Sequence, residues 1–270
     1  MSRRPLPDLG ATSRLFGHRG YSALAPENTL PAFALLLEHG IPGVELDVQA
    51  CAGGELVVAH DESLERTAGV ARRIPELSLQ ELRSYDVGSR FGAAFSGTRV
   101  PLLSEVFSLL GDRVVYDIEL KTGAFGGAAR ELARRAVEEI AAAGLRERCI
   151  LSSFNAAAVG WARRASRDIP TALIYTSSPG VPAPARTPVW QHLLHNELLK
   201  PDADRFRTEM GSDGAGFADG AAGRSRGRRA PFPEVPRLLW TVDDPQEKRE
   251  LLAAGVYGVI SNDPLNLAEA

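Results

Sequence analysis

From residue 43 to 48 the chain reads Gly-Val-Glu-Leu-Asp-Val, with apolar and acidic side chains in strict alternation. Alternation at period two marks a strand with unlike faces, so Glu45 and Asp47 share one side while Val44, Leu46 and Val48 share the other. The pattern returns at 115–121, where Asp117, Glu119 and Lys121 face one way and Ile118 and Leu120 the other. Short apolar runs predict further strands at 15–20, 56–61, 149–154, 171–175, 238–242 and 256–260. Between them the period changes to that of a helix. Leu30, Phe33, Ala34 and Leu37 form one stripe behind a cap at Asn28 or Thr29, and Leu103, Val106, Phe107 and Leu110 form another. Helices are also predicted at 128–143, stopped by Gly144, at 155–165, capped by Asn155, and from the capping box of Asp244 and Glu247 to Gly255. Residues 190–200 fit either a helix through Trp190, Leu193, Leu194 and Leu198 or a strand over 193–199.

Strands alternating with helices over this length predict an α/β fold, a (β/α)8 TIM barrel, with a doubly wound open sheet as the alternative. The sheet should be irregular after residue 48, because the gap to residue 55 is too short for a parallel crossover. The polar stretch 62–99, with a capping box at Ser78 and Glu81, reads as a small inserted subdomain that covers the mouth. Residues 1–14 form an N-terminal extension to a single domain spanning 15–270, and the Gly, Ala and Arg-rich stretch 211–231 reads as a mobile loop. Neither G-x-G-x-x-G nor G-x-x-x-x-G-K-[ST] follows the first strand, which weighs against nucleotide binding.

Composition narrows the partners. The 270 residues are 44% hydrophobic and 24% charged with a net charge of -3, so no global basic field favours nucleic acid or an anionic membrane. Cys51 and Cys149 are too few for a disulfide framework, and no apolar run suits a signal peptide or a membrane span. The expectation is a cytoplasmic protein with a small-molecule substrate and no stable membrane insertion.

The chemistry lies at the strand ends. Two carboxylates on one face of an apolar strand are costly unless a cation or proton neutralises them. A second acidic strand of the same kind points to a hard cation held by oxygen ligands. In a barrel, His18, Glu45, Asp47, His60, Glu119 and Lys121 would converge on one pocket although they are scattered over a hundred residues.

His18-Arg19-Gly20, Pro26-Glu27-Asn28-Thr29, Glu45-x-Asp47, His60-Asp61, Arg66-Thr67, Glu119-x-Lys121 and Trp240-Thr241-Val242 stand in an order and spacing that resemble the glycerophosphodiester phosphodiesterase family. The resemblance implies a barrel, one divalent ion (Mg²⁺, Ca²⁺ or Mn²⁺), and hydrolysis of glycerophosphodiesters to sn-glycerol 3-phosphate and an alcohol. By matching position it implies Glu45, Asp47 and Glu119 as metal ligands, His18 and His60 as the acid-base pair, Arg19 and Lys121 as phosphate contacts, and Trp240 as a substrate-pocket wall. Two departures stand out. Asp243 takes a place where the family usually has Asn, and the last strand ends Ser-Asn-Asp-Pro at 261–264 in place of the more common Thr-Asp-x-Pro. Two other readings are a phospholipase D-like enzyme for lysophospholipids or sphingolipids, which would need an apolar membrane-facing rim, and an inactive barrel used as a binding module. The inserted stretch offers only scattered Leu77, Leu79, Leu82, Phe91 and Phe95 for such a rim.

Overall fold

The computed structural model describes residues 4–9, 14–123, 126–181, 185–210 and 231–266. The expected loop at 211–231 lies, except for its last residue, outside them, as does part of the N-terminal extension. In chain order the elements are β1 (Leu15–His18), α1 (Leu30–Glu38), β2 (Gly43–Ala50), β3 (Leu56–Val58), α2 (Glu65–Ala68), α3 (Leu79–Leu82), α4 (Leu103–Leu110), β4 (Val115–Leu120) and α5 (Gly127–Ala142). They continue with β5 (Cys149–Ser153), α6 (Ala156–Ala165), β6 (Thr171–Tyr175), α7 (Gln191–Leu194), β7 (Leu198–Pro201), α8 (Ala203–Met210), β8 (Leu238–Leu239), α9 (Pro245–Ala253) and β9 (Gly258–Ser261).

Eight strands pair in parallel in the order β8-β9-β1-β2-β4-β5-β6-β7. Parallel bridges from Leu199 to Arg237 and from Asp202 to Trp240 join β7 to β8 and complete the ring. This is the expected barrel, and an open doubly wound sheet is excluded. The expected irregularity is β3, which turns back antiparallel to β2.

Inside the ring a floor forms from Phe16, Val115, Ile150, Ala172, Leu198, Leu238 and Ile260, all fully buried. Phe16 fills the space left by glycines on the flanking strands: a Cβ at Gly43 would come within 2.6 Å of its ring and one at Gly258 within 2.8 Å. Side chains repeat direction every second residue. The layer above the floor is therefore His18, Glu45, Asp117, Ser152, Lys200 and Trp240, each two residues beyond a floor position or its register partner. A hydrophobic floor thus carries a polar layer at the C-terminal strand ends. Outside the ring, Leu46, Val48, Ile118 and Leu120 pack with residues of α1, α4, α5 and α6, such as Phe33, Val106, Leu132 and Ala162.

Local signals from the sequence are largely realised. Ser78 and Glu81 form both halves of their capping box, and Asn155 and Asp244 accept hydrogen bonds from Ala157 N and Glu247 N. Thr29 does not cap α1; its hydroxyl donates to Pro26 O at 2.5 Å, and Asn28 turns toward the strand ends. The stretch 62–99 buries Leu64, Ile74, Leu77, Leu82 and Val87 in a small cluster of its own with Val57 and Cys51. Residues 190–200 divide between the two readings: a 3-10 turn at Pro188–Trp190 and one turn of helix, α7, lead into β7. The β6–β7 connection consequently has no full-length helix among its described residues.

Candidate functional site

Glu45 and Asp47 project from β2, and Glu119 projects from β4 beside Asp47 in the strand register. Ligand oxygens of the three lie within 4.8 Å of one another, and all three side chains are buried. Cations ring them. Lys121 Nζ lies 2.9 Å from Glu119 Oε1 and 3.5 Å from Asp47 Oδ1, and Arg19 Nε lies 3.3 Å from Asp47 Oδ2. The Arg19 amide donates to Glu45 Oε2 at 3.2 Å, and Asn28 Nδ2 donates to Asp47 Oδ2 at 2.9 Å. Arg19 and Asn28 reach these positions with φ of 55° and 56°, a conformation that Asn tolerates better than Arg and that is commonly stored at functional sites.

The carboxylates are not equivalent. Burial pushes Glu45 up to about 8, whereas Lys121 and Arg19 overcome the burial of Asp47 and hold it well below the usual carboxylate range. Asp47 Oδ1 is buried and accepts no hydrogen bond among the described residues. Three buried carboxylates with an unsatisfied oxygen and no soft donor among them fit a hard divalent cation.

Beneath the cluster lies a residue that sequence reading missed. Lys200 on β7 is 2% exposed; its Nζ sits 2.6 Å from Asp117 Oδ2 and 3.5 Å from Glu45 Oε1. Against the cost of its burial, Asp117 and Glu45 raise its affinity for the proton, so it stays charged. Ser152 Oγ donates to Asp117 Oδ1 at 2.7 Å, completing the pair. The one signal for this was a lysine in the apolar run 198–201, two residues after the floor position Leu198, and it becomes readable only once β7 is assigned.

The two histidines are held differently. His18 Nδ1 is 2.7 Å from Asn262 Oδ1. Asn262 Nδ2 donates to Asp243 Oδ2 at 2.7 Å and Ser22 Oγ donates to Asn262 Oδ1 at 3.0 Å, so the amide is fixed with its oxygen toward the ring. His18 therefore carries its proton on Nδ1 and turns Nε2 toward Glu45, 3.9 Å from Oε2. Burial, then the charge of Arg19, hold His18 down to about 4. His60 Nδ1 instead meets Asp61 Oδ1 at 2.6 Å; Arg66 binds Asp61 Oδ2 at 2.7 Å and both oxygens of Glu27, and Glu27 in turn accepts from Arg19 at 2.9 Å. Asp243 and Asn262, the two positions where the sequence departs from the pattern it resembles, face each other across the hydrogen bond from Asn262 Nδ2 to Asp243 Oδ2.

Of the eight residues singled out from sequence, His18, Arg19, Glu45, Asp47, Glu119 and Lys121 are in direct contact as one cluster. His60 joins through Asp61, Arg66 and Glu27. Trp240 joins through its Nε1, which donates to Lys200 O at 3.0 Å, and its ring stands edge-on 5.6 Å from that of Phe154. Beyond that set, Asn28, Asp61, Asp117, Lys200, Asp243 and Asn262 orient or neutralise it.

Residues 18–266 match the glycerophosphoryl diester phosphodiesterase family. A glycerophosphodiester phosphodiesterase of Caldanaerobacter subterraneus subsp. tengcongensis is 33% identical over 258 residues, which cover 94% of this chain and 95% of that protein. The structure of an Oleispira antarctica phosphodiesterase in complex with the product sn-glycerol-3-phosphate superposes with a TM-score of 0.74 at 25% identity, over 93% of both chains. A glycerophosphodiester phosphodiesterase from Agrobacterium tumefaciens shares the fold with a TM-score of 0.71 at 22% identity, over 94% of this chain and 98% of that one.

Proposed function

The chain belongs to the glycerophosphoryl diester phosphodiesterase family, and from that premise we propose that it hydrolyses glycerophosphodiesters to sn-glycerol 3-phosphate and an alcohol at the carboxylate cluster. Glu45, Asp47 and Glu119 would hold one divalent ion, Mg²⁺, Ca²⁺ or Mn²⁺, since every candidate donor is oxygen. The observation that supports this reading best is the meeting of three buried carboxylates whose oxygens lie within 4.8 Å of one another, Asp47 Oδ1 accepting no hydrogen bond among the described residues although Lys121 Nζ lies 3.5 Å from it.

When bound, the ion supplies Lewis acidity to the phosphate oxygens. Arg19 and Lys121 add fixed positive charge at the cluster, neutralising the single charge of a phosphodiester and stabilising the charge that gathers on its non-bridging oxygens. His18, neutral with a free Nε2, accepts the proton of the attacking hydroxyl. His60, exposed enough to meet the leaving group and steadied by Asp61, donates the proton that the departing alkoxide needs. Trp240 and Phe154 wall the pocket beside them. Among the described residues no helix is long and apolar enough to cross a membrane, and both cysteines are unpaired and buried, which fits the cytoplasmic setting we assign.

The test is release of sn-glycerol 3-phosphate from glycerophosphodiesters with choline, ethanolamine, glycerol and inositol head groups, with and without chelator and then with each ion restored. Release that chelator abolishes and a divalent ion restores is expected, along with a loss of roughly 10² or more in kcat for His18→Ala and His60→Ala. Wild-type rates in either variant, or silence on all four diesters, would sink the proposal.

A further inference from the structure

Arg66 stands on α2, a single turn in the stretch 62–99 none of whose residues is buried. Leu64 just before the turn and Ala68 at its end lean on the small cluster with Ile74 and Leu77. Toward the barrel, the tie is Arg66. Its Nε donates to Asp61 Oδ2 at 2.7 Å, and its Nη1 and Nη2 donate to Glu27 Oε2 and Oε1, each at 2.7 Å. One planar guanidinium thus grips two carboxylates, the second of them with a two-pronged fork that a lysine cannot reproduce.

Stability gives little reason for the arrangement. Arg66 is 49% exposed, Asp61 32% and Glu27 23%, and ion pairs so near water add little to the fold. Each carboxylate instead passes the hold on to a group of the site. Asp61 Oδ1 meets His60 Nδ1 at 2.6 Å, which turns Nε2 of the ring away from Asp61. Glu27 Oε1 accepts from Arg19 Nη1 at 2.9 Å, and Arg19 Nε stands 3.3 Å from Asp47 Oδ2. Burial works against the charge on Glu27 and Asp61, yet both are held below the ordinary carboxylate range, with the hydrogen bond from Arg66 the largest opposing cause for each. The acid and a phosphate contact of the proposed reaction are therefore braced from one point on the inserted stretch.

Resting on the reading of the cluster given above, we propose that Arg66 is a positioning residue, which aims His60 at the leaving oxygen through Asp61 and Arg19 at the phosphate through Glu27. Arg66 neither gives nor takes a proton; its part is the angle and distance at which two other groups act. The inserted stretch then has a share in the chemistry, and Glu27 and Arg66 owe their places to one task.

The experiment measures kcat and KM for the wild type, Arg66→Ala and Arg66→Lys in the full chain, supplied with the divalent ion that best supports turnover. Two diesters of glycerol 3-phosphate are compared: the fastest of the four alkyl head-group esters named above, whose alkoxide must be protonated to leave, and the 4-nitrophenyl ester, whose phenolate leaves without a proton. Arg66→Ala should lower kcat on the alkyl ester at least about tenfold, less than removal of His60 itself, and the loss should be at least about threefold smaller on the 4-nitrophenyl ester. KM should rise on both, since Arg19 meets the phosphate of either. Arg66→Lys should recover little of the rate, whereas added methylguanidinium should recover part of it in Arg66→Ala and methylammonium should not. Because Arg66 is half exposed, both variants should melt close to the wild type. Rates within about twofold of wild type in Arg66→Ala, or an equal loss on both esters with KM unchanged, overturn this proposal and leave the proposed function standing. A wild type that cleaves none of these diesters overturns both.

Discussion

At the scale of single residues, the site is governed by what each titratable group is tied to. His18 leans on an amide, and that amide leans on Asp243. Asp243 stands where the resemblance suggested Asn and Asn262 where it suggested Asp, so the bond still joins one amide donor to one carboxylate acceptor, with the sides reversed. Asn262→Asp alone would set two carboxylates against each other, and Asp243→Asn alone would leave one acceptor oxygen where the backbone N and the Nδ2 of Asn262 now have one each. We expect each single change to lower kcat by roughly tenfold or more and the double exchange to recover most of it, read as a double-mutant cycle. Lys200→Met should leave Asp117 and Glu45 buried without their cation, costing about 3–5 kcal/mol by denaturant midpoint, with much of that regained when Asp117→Asn is added. The acidic strands and both histidines were legible in the sequence because period-two alternation exposes a polar residue on an apolar strand. Lys200 and Asn262 were not, because their partners come from strands that only barrel closure brings near.

At the scale of elements, helices with a strong apolar stripe and a capping signal were placed to within a residue or two, as α4, α5 and α6 are. Strand lengths were less legible: β8 keeps only two residues of the run 238–242, since its remaining residues bend into the site loop that carries Trp240. The ambiguity at 190–200 was real in the sequence, because the spacing of Trp190, Leu193, Leu194 and Leu198 satisfies a helix while Leu198 is needed for the floor. Burial at the floor won, and the helix shrank to one turn. Gly17 illustrates how an element joint is fixed: a Cβ there would meet Leu36 Cδ2 at 2.5 Å and Gly20 O at 2.7 Å, between β1 and α1. Gly17→Ala should lower stability by about 1–3 kcal/mol, visible as a depressed Tm.

At the scale of the whole molecule, the barrel was legible from the count and alternation of its elements, and an irregularity after β2 from a gap too short to cross over, though not that it would take the form of an antiparallel β3. What no local pattern reported is how unevenly the ring is sewn. β2 and β4 pair over six residue positions, whereas β7 and β8 are joined by two isolated bridges. Lys200 stands on one side of that seam and Trp240 on the other, linked by one hydrogen bond. One of the thinnest stitches of the cylinder therefore runs through its working end. Amide exchange should be faster at 198–201 and 238–240 than along β2 and β4, and warming should silence catalysis while the helical signal is still whole. Equal protection around the ring, or activity that persists until the helices melt, would count against a seam of this kind. An enzyme built so would fail first as a catalyst and only later as a fold.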